Sequence, residues 1–118
     1  MSEHRANVQW KRSGEFRAAG APGVDPEQAF VVSLSACHML WFLHLACRAG
    51  FVVDAYQDDA LGTPDKTWMS RVTLRPRVTY SGKTLTEEEH QALHHKAHER
   101  CFIANSVKTE ILLEPAIA

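Results

Sequence analysis

The stretch "DPEQAFVVSLSACHMLWFLHLACRAGF", Asp25 to Phe51, constrains the chain more than any other. From Ala29 to Cys47 it runs 19 residues without an Asp, Glu, Lys or Arg. That is close to the length that spans a bilayer. Its ends and interior point instead to a helix buried in a soluble domain. Asp25 suits the N-cap, Pro26 the first helical position, and Gln28 the reciprocal position of a capping box. Gly50 is a natural stop after Arg48 and Ala49. Ser33, Ser35, His38 and His44 interrupt the run, no second such segment follows, and no basic cluster at one flank sets an orientation. The helix is apolar nearly all round, so it must be covered on most sides. One small sheet covers one side only, and a second copy of the chain is the expected cover for the rest.

The remaining pattern is that of a single α+β domain over residues 1–118. Residues 4–10 alternate as a strand, Lys11 to Glu15 turn, and Phe16 to Ala18 return. The stretch "AAGAPGV" is a Gly/Pro loop. After helix one, residues 51–62 read as a strand, Thr63 to Lys66 as a turn, and residues 67–80 as period-two sheet with a bulge or edge at Pro76. Thr86 is the N-cap of a second helix, with Glu89 completing a capping box, and the helix runs to about Arg100. Residues 107–114 close as a strand. The order is strand–helix–strands–helix–strand.

With a formal net charge of −1, the chain lacks the basic excess that a phosphate backbone demands, so no nucleic-acid partner is expected. The N-terminus has no basic-then-apolar order of a signal peptide, and three cysteines is an odd number. The thiols are therefore expected in a reducing, cytoplasmic setting, with any disulfide transient. No membrane partner is expected.

Cys37 falls mid-helix in the first helix and Cys101 at the end of the second. Cys47 lies ten residues after Cys37, about 15 Å along a helix, beyond disulfide reach. Cys101 meets Cys37 if the end of helix two packs on the middle of helix one. The ordinary reading of such residues is inert core filling. By the same spacing Glu27 cannot touch Cys37 of its own helix. It reaches Cys37 of a second copy if two such helices pack antiparallel.

The segments "DPEQAFVVSLSACHM" and "ERCFIANSV" together resemble the OsmC/Ohr superfamily, the osmotically inducible and organic hydroperoxide resistance proteins. The helix start, the cysteine ten residues after its glutamate, and the second cysteine closing the next long helix carry the resemblance over roughly residues 15–115. It implies an intertwined homodimer with two long central helices packed against antiparallel sheets. It also implies thiol-dependent reduction of organic hydroperoxides, with no cofactor and no metal. Cys37 would be the peroxidatic thiolate and Cys101 the resolving thiol, with a small hydrophobic peroxide as substrate and an external dithiol as reductant. The family holds an arginine against the glutamate of the helix start. Glu27 fits the glutamate and Arg17 the arginine, with Arg5 and Arg12 as rivals. Two departures are plain. Phe102 stands where many members have proline after the second cysteine, and the segment before helix one is short. The alternative from another class is a non-catalytic protein of this fold that binds a small hydrophobic ligand beside Cys37. Phe30, Met39, Leu40, Trp41 and Phe102 are the expected apolar neighbours under either reading.

His90, His94 and His98 recur at helical spacing with His95 beside them. Two such histidines can share a metal, but no HExxH or tight partner spacing accompanies them. A partly solvated face is the expected reading. His38 and His44 are expected as hydrogen-bonded core or interface histidines.

Overall fold

The computed structural model describes residues 3–19 and 25–118. The first hairpin is β1 (His4–Lys11) and β2 (Glu15–Ala19), paired antiparallel. Most of the expected Gly/Pro loop after it lies outside the described residues. Helix α1 spans Pro26–Arg48 with the full capping box at Asp25, whose carboxylate accepts the Gln28 amide while the Gln28 side chain accepts the Asp25 amide. Gly50 follows the C-cap at φ 86°, a conformation that costs other residues a steric penalty.

Strand β3 (Val52–Asp65) is the spine of one mixed sheet. Its one edge pairs with β1. Its other edge pairs with β4 (Trp68–Leu74) and then with β5 (Pro76–Ser81). The expected turn at Thr63 to Lys66 is later and tighter than the sequence suggests. The strand continues through Pro64 past a register shift, and Lys66, at φ 57°, carries the turn. Pro76 does mark an interruption, since β4 and β5 are one strand line broken at Arg75. The breaking element is Asp58. Its buried carboxylate accepts the Arg75 backbone amide at 2.6 Å and the Ser35 hydroxyl at 2.5 Å. A carboxylate thus takes a backbone donor that the ladder would otherwise use, and it ties the sheet to α1.

Helix α2 (Glu87–Arg100) begins on Thr86 with the expected capping box. A short α3 (Phe102–Asn105) follows directly. The last expected strand is shorter, β6 (Glu110–Leu113), and joins β4 in parallel. A small β7 (Ala116–Ile117) joins β5 in parallel. The sheet is therefore mixed where all-antiparallel pairing is expected.

Helix α1 packs across the sheet with Val31, Leu34, Ser35, His38, Met39, Phe42, Leu45 and Ala46 buried. The close approach needs Gly62. A Cβ there would lie 2.7 Å from Val31 Cγ2 and 2.9 Å from Met69 Sδ. The helix is long and apolar enough to cross a membrane, yet here its buried face belongs to a protein core. Its opposite face is open. Ala29, Leu40, His44 and Cys47 are exposed, Leu40 to 60%, and Ser33 and Ala36 are half-buried.

Candidate functional site: a thiol pair at the end of a helix seam

Helices α1 and α2 are antiparallel neighbours, because rising numbers on one meet falling numbers on the other. Cys37 meets Cys101, His38 meets His94, and Phe42 meets His94 and His90. The two cysteines far apart in the chain are thus brought together, close enough for each thiol to feel the other. Cys101 is buried at the junction of α2 and α3, and Cys37 is half-buried. Burial pushes the Cys101 thiol up to about 11, the Ala104 and Ile103 backbone amides pull the other way, and the neighbouring Cys37 adds to the rise. Cys47 is exposed and free.

The apolar neighbours divide. Trp41 lies edge-on to Phe102 with ring centres 6.0 Å apart, and Phe102 is 71% exposed. Arg100, next to Cys101, holds its guanidinium over Trp41, 5.9 Å from the ring centre. Phe30 lines a groove of about 420 Å³ with Pro26, Glu27, Trp68, Met69, Val107, Lys108 and Thr109. Met39 is not at the site at all. It is fully buried in the main core with Phe42 and Tyr56, because position 39 is two steps of 100° beyond Cys37.

Within one chain, Glu27 and Arg17 do not join the thiols. Glu27 is exposed at the start of α1, ten residues from Cys37, and Arg17 is exposed on β2, in register with Gln9. The rival arginines are engaged elsewhere, Arg12 with Asp54 at 2.8 Å and Arg5 with Glu3 at 3.4 Å. Glu27 does share a place with His4 and Asp25, whose ligand-type atoms all lie within 4.8 Å of one another. The positive end of α1 lies at that spot and opposes a cation there.

The histidines overturn the expectation of a solvated face. His90 and His94 are fully buried, and His38 is buried opposite them. His38 Nε2 and His94 Nδ1 are 2.9 Å apart. Tyr80 Oη and His90 Nδ1 are 2.6 Å apart. His94 lies flat on Phe42 with centres 4.0 Å apart. Burial drives His38 down to about 3, helped by His98, and drives His94 down to about 2, helped by His38 and His90. A signal for this was present in the sequence. Helix two offers only Ala92, Leu93 and Ala97 as apolar residues, so its inward face has to include histidines. His44, by contrast, is exposed and edge-on to Trp41 at 5.9 Å.

A paired, buried thiol where the last turn of α2 meets mid-α1 is the arrangement that the sequence resemblance implies, and the comparisons decide the family. The chain belongs to the OsmC-like protein family. That family's model matches residues 18–115. An OsmC-like protein of unknown function from Vibrio cholerae is 40% identical, with 95% of this chain and 84% of that one covered and a TM-score of 0.75. An organic hydroperoxide resistance protein from Legionella pneumophila shares the fold at 20% identity, with 86% and 73% covered and a TM-score of 0.59. The organic hydroperoxide resistance protein OhrB of Bacillus subtilis does so at 18% identity, with 100% and 98% covered and a TM-score of 0.55. No curated protein matches the chain. As an OsmC-like protein, this chain therefore stands in a family that includes hydroperoxide resistance proteins.

Proposed function

We propose that this OsmC-like protein is a thiol-dependent peroxidase that reduces organic hydroperoxides and works as a homodimer. The observation that carries the reading is the Cys37 thiol against the Cys101 thiol. Their unequal exposure supports a division of roles. Cys37, half-open, meets the peroxide. Cys101, buried and held as a thiol, waits to resolve. The Cys37 thiolate attacks the O–O bond, an S–O bond forms, and the alkoxide leaves as alcohol with a proton. Cys101 then displaces water from the sulfenic acid, giving the Cys37–Cys101 disulfide. An external dithiol restores both thiols by exchange. Sulfur carries both electrons, so the reaction requires neither metal nor cofactor.

The Phe30 groove suits an apolar peroxide tail. Phe30 lies two helical turns before Cys37 on the same side of α1, about 10.5 Å along the axis. The open stripe of small residues and Leu40 on α1 suits a second copy of the helix. Two copies crossing antiparallel near Ser33 bring the partner subunit's Glu27 towards Cys37. Arg17, free of ion pairs among the described residues, is the arginine that Glu27 would orient to hold the thiolate. A cytoplasmic, reducing setting fits three free thiols.

One equivalent of cumene hydroperoxide per chain should consume two thiols and yield a Cys37–Cys101 disulfide, mapped by mass spectrometry. Loss of one thiol only, or of Cys47, overturns the reading. A second reading, a non-catalytic binder of small hydrophobic ligands, is favoured by one fact: no sulfur of Cys37 or Cys101 lines the groove. Retention of an apolar fluorescent probe by Cys37→Ser, in a protein whose wild type turns over no peroxide, would select it.

A further inference from the structure

The face of α1 that carries Cys37 continues past it as Leu40, Trp41 and His44, at helical spacing. The chemistry above uses neither Trp41 nor His44. A circuit of contacts fixes Trp41 beside the thiols. Cys37 meets Cys101. Phe102 follows Cys101 in the chain and begins α3. Its ring meets the Trp41 ring edge to face, with 6.0 Å between centres and 65° between planes. Trp41 stands one helical turn after Cys37, about 6 Å along the axis, which closes the circuit. Arg100 precedes Cys101 and holds its guanidinium over the same indole, 5.9 Å from the ring centre. No ion pair engages Arg100 among the described residues.

Open space adjoins this cluster. A hollow of about 230 Å³ beside Trp41 is lined also by Leu40 and His44. His44 is edge-on to the indole at 5.9 Å, with 85° between planes. An apolar cavity of about 150 Å³ is enough to take benzene. The Phe30 groove lies two turns away on the other side of Cys37, so it suits the far end of a long tail. A ring carried on the peroxide carbon stays within a few ångströms of the reacting sulfur. Trp41 is the nearest aromatic residue to Cys37 along that face of α1.

We propose that Trp41, Phe102 and Arg100 form a subsite for an aryl group on the peroxide carbon. The protein thereby selects arylalkyl hydroperoxides over saturated ones of the same size. This rests on the peroxidase reading of the thiol pair and narrows its substrate class. The selection has a physical cause. A phenyl ring offers edges and faces to Trp41 and Phe102, a gain beyond the apolar area it buries. Its π face also attracts the Arg100 guanidinium. A cyclohexyl ring buries similar area but has no such quadrupole, so it gains neither. The three side chains meet the aryl group and not the reacting oxygens, so they set specificity and are not catalytic. Phe102 also stands where many family members have proline, so this ring is a feature of the chain and not of the fold.

The test compares two hydroperoxides in one protein, so that any loss of folded enzyme cancels. They are cumene hydroperoxide and its saturated analogue, 2-cyclohexyl-2-propyl hydroperoxide, with dithiothreitol restoring the thiols. Wild type should show a kcat/KM about fivefold higher for the aryl compound. Phe102→Leu removes an exposed ring and should lower that ratio to about two, and Trp41→Leu to about one. Phe30→Leu should leave the ratio as in wild type. The product alcohols probe the subsite with no redox step. At equal concentration, 2-phenyl-2-propanol should shift the Trp41 indole N–H signal, assigned from Trp41→Phe, more than 2-cyclohexyl-2-propanol does. A wild type inert to both peroxides that still shows this contrast removes the peroxidase reading and keeps the aryl subsite. A ratio near one in an active wild type overturns the subsite, as do equal shifts from both alcohols in an inert one. A wild-type ratio that survives in both Phe102→Leu and Trp41→Leu overturns it too.

Discussion

The two ends of the α1–α2 seam are built from the same kind of material, titratable side chains among apolar ones, yet they differ in access. At the thiol end, Cys37 is half-open, and Phe102 and Leu40 beside it stand largely in solvent. At the histidine end, His38, His90 and His94 are sealed between Phe42, Tyr56 and the sheet. A group that must meet a reagent needs a route to it. A group that only packs and holds its neighbours can be closed off. The seam shows how one pair of helices supplies both conditions side by side.

That contrast can be broken at several points. Cys37→Ser tests the open end and has the largest expected effect. Peroxide-dependent thiol loss should fall by about a thousandfold or more, with folding stability within about 1 kcal/mol of wild type. Retained turnover would move the chemistry to another sulfur. Asp58→Ala tests what the closed end stands on. It strips the Ser35 hydroxyl and the Arg75 amide of their acceptor and should cost about 3 kcal/mol in denaturant unfolding. Asp58→Asn keeps an acceptor and should cost about 1 kcal/mol or less at pH 7.5. Equal costs for the two would deny the carboxylate its place in the strand break.

Acid tests the closed end itself. His38 and His94 have folded pKa values far below the ordinary 6.5, so below that pH the unfolded chain takes up protons first and stability falls with pH. Asp58 works the other way. Its carboxyl, raised by burial to about 6 from 3.8, gains stability as pH falls through that window. Two histidines outweigh one carboxylate, so going from pH 7.5 to 5 should cost a net of about 3 kcal/mol, about 2 from each histidine less about 1 from Asp58. A denaturant midpoint that holds or rises over this range would mean that the histidines are solvated. Leu40→Glu, on the open face of α1, should have the smallest effect on folding, within about 0.5 kcal/mol. It should nevertheless convert a dimer to a monomer in sedimentation. An unchanged dimer would place the second copy on another surface.

Much of this was legible in the residues. Both capping boxes, both helix lengths and the mid-helix position of Cys37 follow from side chains reaching their own neighbours in the chain. Less legible was the direction in which the second helix faces. His90 and His94 look solvent-bound by polarity, and only their packing on Phe42 and His38 makes them core. The turn expected at Thr63 failed for a similar reason. Pro64 reads as a breaker, but its strand edge tolerates it at a register shift.

The local rules of capping, helix stop signals and period-two alternation determined where helices and strands begin, because those forces act within a few residues. The meeting of Cys37 with Cys101, the burial of Asp58 in the strand break, and the head-on pairing of His38 with His94 join groups 64, 17 and 56 residues apart. Such contacts form only when α1 lies across the sheet with α2 beside it. Their chemistry was therefore decided by the tertiary structure, which alone fixes how much water each group keeps.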